Sequence, residues 1–212
     1  NTFMTPYLQR PLELGADITV QSATKFLAGH ADLLAGVAAT NDSDLAVQLH
    51  RGQLVSGALL PPIDSYRLLQ DVKTLALRLE RQQQNARELI DFLSARPEVE
   101  QIFYPGSSSE EQAEIQSRQA RGIGSVFSLL LAEGGDAQAF ARALPIFVNA
   151  VSLGGIESLV SLPAHTTHGA YAQEHRDEFG VDDRLVRLAI GIEDVQDLTA
   201  ALEIGLKAAF AG

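Results

Sequence analysis

The sequence predicts an α/β protein in two parts: a strand–helix–strand layer at the front, then a sheet carrying helices in α+β order. Three observations predict this. Two short runs, 17–20 and 35–40, are apolar or β-branched and flank a helical pattern over 43–54. Leu68, Leu69, Val72, Leu75, Ala76, Leu79, Ala86, Leu89, Ile90 and Leu93 recur at steps of three and four, the mark of a long amphipathic helix. Further apolar runs then alternate with capped helical segments up to the end of the chain.

Each element has a local reason. Residues 6–14 read as a short helix, with Pro6 near its start, Leu8, Leu12 and Leu14 as apolar points, and Gly15 as the stop. Ile18 to Val20 form a strand that runs into small and hydroxyl residues. Asn41-Asp42 ends the second strand. Ser43 reads as a helix cap, with Asp44 in the first turn where the dipole favours negative charge. Pro61-Pro62 breaks the chain, and Asp64 reads as the cap of the long helix, which runs to Ala95 with Pro97 beyond. About thirty residues exceeds the usual helix length, so it bridges two domains or bends near its middle. Strands follow at 99–104, 124–132, 146–151 and 184–192. Between them lie helices at 110–119 and from Asp136 to Leu144, and an amphipathic helix over 195–210 closes the chain.

Composition bounds the function. A chain of 212 residues, 46% hydrophobic and 20% charged, can bury one large core or two small ones. The net charge of −11 and the lack of a basic stripe argue against a nucleic-acid partner. With no cysteine there is no disulfide framework and no thiolate metal site, which fits a cytoplasmic protein. No apolar run approaches a membrane span, and no signal peptide stands at the start. Asn1 to Pro6 already reads as the interior of a domain, so an upstream portion is expected.

The chemistry concentrates in Ser22-Ala23-Thr24-Lys25. A lysine at a strand end, hemmed in by small residues, is shielded from bulk water, which favours a neutral, nucleophilic amine. Ser22 and Thr24 could donate to a phosphate, and a lysine with phosphate-binding hydroxyls is what pyridoxal phosphate needs. Two other readings stand beside this: a solvated surface lysine, and the Ser-x-x-Lys of penicillin-binding acyl enzymes, which lacks its Ser-Asp-Asn and Lys-Thr-Gly partners here. Arg187 lies inside the apolar strand, where an arginine needs a partner: a ligand carboxylate or an internal Asp or Glu. Val151-Ser152-Leu153-Gly154-Gly155 reads as a turn or as a backbone that passes close to a ligand. His165 and His168 are spaced like a metal pair, but no third ligand is evident.

Five stretches together decide among these: residues 1–11, 22–30, 73–78, 152–159 and 186–194. In order and spacing they resemble the cystathionine γ-synthase-like family, the pyridoxal-phosphate enzymes of cysteine and methionine metabolism. The resemblance implies a fold-type-I transferase. Residues 1–75 would be the C-terminal part of the large cofactor domain, and residues 76–212 the small domain. It implies that Lys25 is the Schiff-base lysine and proton carrier, and that Ser22 and Thr24 hold the cofactor phosphate. Arg187 would bind the substrate α-carboxylate, with Ser152 beside it. Val151 stands where several members acting at the γ-carbon of cystathionine carry glutamate, which favours an elimination-type lyase. Thr167-His168 and Gly29-His30 match structural loops of the family, and Gln70-Asp71 departs from its usual Arg-Gly.

The implied function is carbon–sulfur elimination from cystathionine, methionine or a related sulfur amino acid. The alternative within the family is γ-replacement, as by a cystathionine γ-synthase or an O-acylhomoserine sulfhydrylase. An alternative of another class is a non-catalytic piece that serves folding or oligomerisation. The implied assembly is a homotetramer, a dimer of active-site-sharing dimers. In the family the aspartate for the pyridine nitrogen, the ring-stacking aromatic and the Gly-rich phosphate loop lie upstream of Asn1. The 212-residue chain alone is therefore expected to be inactive.

Overall fold

In the computed structural model, which describes residues 1–211, the front of the chain is built on a two-stranded antiparallel ladder. Strands β1 (Thr19–Ser22) and β2 (Gly36–Ala39) pair with Thr19 opposite Ala39 and Ser22 opposite Gly36. Helix α1 (Thr5–Leu8) and a 3-10 turn (Pro11–Leu14) replace the single helix expected over 6–14. Gln9 is already extended and Pro11 has no N–H to continue the ladder, so the helix restarts as a tighter turn.

Helix α2 (Ser43–Ser56) is capped by Asp42 and not by Ser43. The Asp42 carboxylate accepts from the Asp44 and Leu45 N–H groups at 2.8 and 2.9 Å, satisfying two orphan donors of the first turn. The long helical pattern is bent, as its length suggested. Helix α3 (Pro62–Asp71) and helix α4 (Leu75–Ser94) are separated by a 3-10 turn at Val72–Thr74. Pro62 opens α3, so Asp64 lies in its first turn and is not its cap.

The rear of the chain is a five-stranded sheet of order β3-β4-β7-β6-β5. It comprises β3 (Val99–Phe103), β4 (Val126–Leu131), β5 (Val148–Asn149), β6 (Leu159–Ser161) and β7 (Leu185–Ala189). All neighbours are antiparallel except β5 and β6, which are parallel. Period-two alternation buries Phe127, Leu129 and Leu131 of β4 on one face. Helices α5 (Glu110–Gln119), α6 (Ala137–Ala143), α7 (Gln173–Glu178) and α8 (Val195–Ala209) complete this part. The expected strand over 146–151 shrinks to two residues, while β6 and α7 are too short to leave a periodic signal.

Two apolar clusters hold the molecule. One joins α4, α6 and α8 to the sheet through Leu89, Leu93, Phe127, Leu129, Phe140, Leu188, Leu198 and Leu202. The other gathers Leu8, Ala23, Phe26, Leu27, Leu75, Leu79, Leu153 and Ala189. Helix α4 contributes to both, so it fixes the front ladder against the rear sheet, and the functional residues lie along that junction.

Candidate active site

Lys25 does not sit on a simple strand end. Strand β1 runs through Ser22, and the chain then closes a wide π-type turn over Ala23–Leu27, with the Ala28 N–H bonded to the Ala23 carbonyl at 3.0 Å. Within that turn Lys25 takes a non-helical backbone, φ −92° and ψ −125°. Ala23, Phe26 and Leu27 are buried beneath it, which roots the turn in the core. The Lys25 side chain reaches across the junction and donates from Nζ to Ser152 Oγ at 2.8 Å. Its hydroxyl partner is thus Ser152, 127 residues away in sequence, and not the Ser22 that the acyl-enzyme reading requires.

The two hydroxyls beside Lys25 behave differently. Thr24 Oγ1 accepts the Ala35 N–H at 3.0 Å and donates to the Ala35 carbonyl at 3.4 Å, tying the turn to the approach of β2. Ser22 is anchored by its backbone N–H, which donates to Thr2 Oγ1 at 2.9 Å. Its own hydroxyl makes no hydrogen bond among the described residues, so it can serve a ligand.

The segment 151–155 closes over the lysine. Gly154 has φ +84°, and a Cβ there would lie 2.6 Å from the Phe26 nitrogen and 3.0 Å from the Lys25 carbonyl carbon. The glycine is required by both backbone conformation and close approach. Val151 is 56% exposed, so its side chain is free to face a ligand.

Arg187 projects from β7 toward the same segment. Its Nη2 donates to the Val151 and Ser152 carbonyls at 2.9 and 3.1 Å, and its Nε is buried with no partner. Both of its acceptors are neutral carbonyls, so among the described residues the internal ion pair considered from the sequence does not form. Burial pushes its pKa below the ordinary arginine value. Such a guanidinium, with Nε and Nη1 both unspent among the described residues, is suited to an incoming carboxylate.

Sequence reading missed a stripe of buried polar residues on α4. Gln82 Nε2 donates to the Gly155 carbonyl at 2.6 Å, and Asn85 Nδ2 donates to the Gly191 and Glu193 carbonyls at 3.2 and 2.9 Å. Ser158 joins the same network, with its Oγ donating to Glu193 Oε2 at 2.9 Å and accepting the Gly191 N–H at 2.9 Å. The signal was present: positions 78, 82 and 85 are in phase with Leu75, Leu79 and Ala86, and polar residues on an apolar stripe need buried partners. Asp71, at the departure from the family pattern, meets His30 Nδ1 at 2.9 Å.

The histidines do not form a metal site. His165 Nε2 lies 3.2 Å from Gln138 Nε2, while His168 packs with Tyr171 and Phe179 at ring distances of 5.8 and 6.3 Å. Among the described residues no group of three or more His, Asp or Glu could hold a metal. A hollow of about 770 Å³ reaches Thr24, Ser152, Leu153 and Glu157. Another of about 790 Å³ is lined by Leu12, Val37 and Leu68, and neither hollow has Lys25 or Arg187 in its lining.

The amine of Lys25 and the guanidinium of Arg187 thus meet at Ser152, one on its hydroxyl and one on its carbonyl, and the unbonded Ser22 hydroxyl stands at the end of the strand that leads into the lysine turn. The model of the Cys/Met metabolism PLP-dependent enzyme family matches residues 1–207, and the chain belongs to that family. It is 44% identical over 198 residues to the cystathionine gamma-lyase of Bacillus subtilis (strain 168), covering 93% of this chain and 52% of that relative. It is 46% identical over 211 residues to the L-methionine gamma-lyase of Pseudomonas deceptionensis, covering 98% of this chain and 53% of that relative. Among solved structures it is similar to the cystathionine gamma-lyase from Lactobacillus plantarum complexed with L-serine. That match has a TM-score of 0.94 and 38% identity, over 99% of this chain and 55% of that chain.

The fold is that of the PLP-dependent cystathionine lyases and synthases, in agreement with the fold-type-I expectation. The chain spans about half the length of the curated relatives it matches. No helix among the described residues is long and apolar enough to cross a membrane. The residues present fit pyridoxal phosphate: an amine fixed by Ser152, the uncommitted Ser22 hydroxyl, and a buried, unpartnered Arg187 Nε.

Proposed function

We propose that the protein carrying this chain is a pyridoxal-phosphate-dependent carbon–sulfur lyase acting on cystathionine, methionine or a related sulfur amino acid. One observation carries the reading: amine and guanidinium converge on Ser152. Lys25 Nζ contacts its hydroxyl at 2.8 Å, and Arg187 Nη2 contacts its carbonyl at 3.1 Å. When bound, pyridoxal phosphate supplies an electron sink for the bond electrons at the substrate Cα. Lys25 would hold the cofactor through Nζ, and its free amine would accept the Cα proton at that atom. Ser152 Oγ keeps that nitrogen aimed at the junction. Arg187 orients the substrate by its α-carboxylate, using the donors on Nε and Nη1 that the described residues leave unpaired. Ser22 and Thr24 hold the phosphate, Ser22 with a free hydroxyl and Thr24 in competition with Ala35.

At the exposed position beside Ser152 stands apolar Val151, which supports elimination over γ-replacement. The division into 1–75 and 76–212, a homo-oligomeric assembly and a cytoplasmic location belong to the same proposal. The test is borohydride reduction of the protein with pyridoxal phosphate, followed by peptide mapping and an assay of thiol, ammonia and keto-acid release. Pyridoxyl label on the peptide containing Lys25, with turnover of cystathionine or methionine, is the expected result. Label on another lysine ends the assignment.

A further inference from the structure

We propose that Arg78, on α4, is the positioning residue for Lys25. The proposal rests on Lys25 being the cofactor lysine, and it assigns to a distant helix the task of fixing the amine's direction. Arg78 is 5% exposed, and its guanidinium lies against the C-terminal end of the lysine turn. Nη1 donates to the Phe26 carbonyl at 2.8 Å, and Nη2 to the Leu27 carbonyl at 3.3 Å and the Asp71 carbonyl at 3.2 Å. Nε donates to Thr74 Oγ1 at 3.1 Å. All of these acceptors are neutral, so a buried cation is spent on orienting backbone and not on a salt bridge.

The last carbonyls of a helical turn have no partner within the turn, and a cation there satisfies both their lone pairs and the local dipole. The clamped carbonyls belong to the two residues that follow Lys25. Gly29 makes room for the clamp. It has φ +77°, and a Cβ on it would overlap Nη1 of Arg78. Gly154 packs on the Lys25 carbonyl carbon and the Phe26 nitrogen. Gly154 thus bears on the Lys25–Phe26 peptide and Arg78 on the carbonyls of the two peptides that follow it, and these contacts together hold the non-helical backbone of Lys25 inside the turn. Among the described residues Arg78 hydrogen-bonds only to backbone carbonyls and Thr74, so it acts through Lys25 and takes no part in bond making.

The experiment uses the protein that carries this chain, with pyridoxal phosphate bound. Borohydride mapping of the unsubstituted protein comes first: label away from Lys25 refutes the lysine reading and with it this proposal. With label on Lys25, Arg78→Gln, Arg78→Lys and Thr74→Val are compared. The readouts are the thermal midpoint and the pH midpoint of the lysine-bound cofactor's absorbance change, which reports the surroundings of Nζ. Arg78→Gln is expected to move the pH midpoint by about 0.5 unit or more and to weaken cofactor retention about tenfold. Arg78→Lys, which can reach one carbonyl but not three groups, recovers part of the shift. Thr74→Val changes an exposed residue, keeps the fold, and gives a smaller shift in the same direction. A lowered thermal midpoint with an unchanged pH midpoint in the folded variants overturns the proposal, because a merely structural arginine gives that pattern. If Arg78→Gln fails to fold, the lysine and Thr74 variants decide by the same criterion.

Discussion

Replacing Gly154 with alanine isolates the contact on which the site closes. A Cβ at this position meets the Phe26 nitrogen at 2.6 Å and the Lys25 carbonyl carbon at 3.0 Å, both backbone atoms that cannot swing aside as a side chain would. Phe26 is 1% exposed, and its carbonyl is held by Arg78, so the turn cannot retreat cheaply. The left-handed backbone at φ +84° adds about 1–2 kcal/mol for a residue with a Cβ. Forcing a methyl into packed surroundings adds about 1–3 kcal/mol. Together these predict a loss of about 2–5 kcal/mol in unfolding free energy, unless the 151–155 segment lifts away. Lifting it would draw Ser152 Oγ off Lys25 Nζ and lower cofactor retention instead. Denaturant unfolding and cofactor titration on the same preparation measure both routes. Gly52→Ala is the control: it lies within α2 with nothing inside 4 Å, and should stabilise by about 0.5–1 kcal/mol. A Gly154→Ala protein with unchanged unfolding and unchanged cofactor affinity would refute the close-approach reasoning.

Arg187→Lys should lower kcat/KM for a sulfur amino acid at least about tenfold while borohydride still labels Lys25, because a point charge replaces a planar fork; equal kcat/KM would remove Arg187 from substrate binding. Ser22→Ala with Thr24→Ala should weaken cofactor affinity about tenfold. Ser22→Ala alone is the cleaner probe, since Thr24 also ties the turn to Ala35, and an unchanged dissociation constant in the double variant counts against both. The Asp182 carboxyl is held below its ordinary pKa by hydrogen bonds from the Arg184 side chain and backbone. A depressed carboxyl gives stability that is present above its unfolded pKa and is lost as pH falls through the folded one. Asp182→Asn should therefore cost up to about 1 kcal/mol at neutral pH, and the difference should begin to shrink as pH falls below the ordinary carboxylate range and vanish only below the depressed folded pKa; a gap that does not shrink as acid is added contradicts the ion-pair account.

The long elements and the chemistry-bearing residue types were legible in the sequence because each leaves a local pattern. The stripe from Leu68 to Leu93 announced α3 and α4, and even their bend, since no single helix of that length is usual. Arginine within Leu-Val-Arg-Leu-Ala had to be partnered or functional. What stayed hidden depends on contacts far apart in sequence. Nothing near Lys25 tells that its nitrogen meets Ser152, and nothing near Gly154 tells that its missing Cβ leaves room for the Phe26 nitrogen. The choice of Ser43 over Asp42 as cap was one residue out because both types cap well, and only the geometry separates them.

The site's dimensions follow from one helix. Arg78, Gln82 and Asn85 lie on one face of α4, and seven residues of α-helix advance about 10 Å along the axis. At one end Arg78 holds the carbonyls after Lys25; at the other Asn85 holds the carbonyls of Gly191 and Glu193, just beyond the strand that carries Arg187. Between them Gln82 holds the Gly155 carbonyl, in the segment that presents Ser152. Lysine, serine and arginine come from three separate stretches, yet each stretch is bonded to the same rigid rod through a buried polar group. Buried networks of this kind are costly when partly satisfied, so a slip of one stretch along α4 would leave acceptors unpaired and would be resisted. The spacing between the Lys25 amine and the Arg187 guanidinium is thus a property of α4. A helix that its apolar periodicity marks as scaffold also sets the reach that a substrate must match.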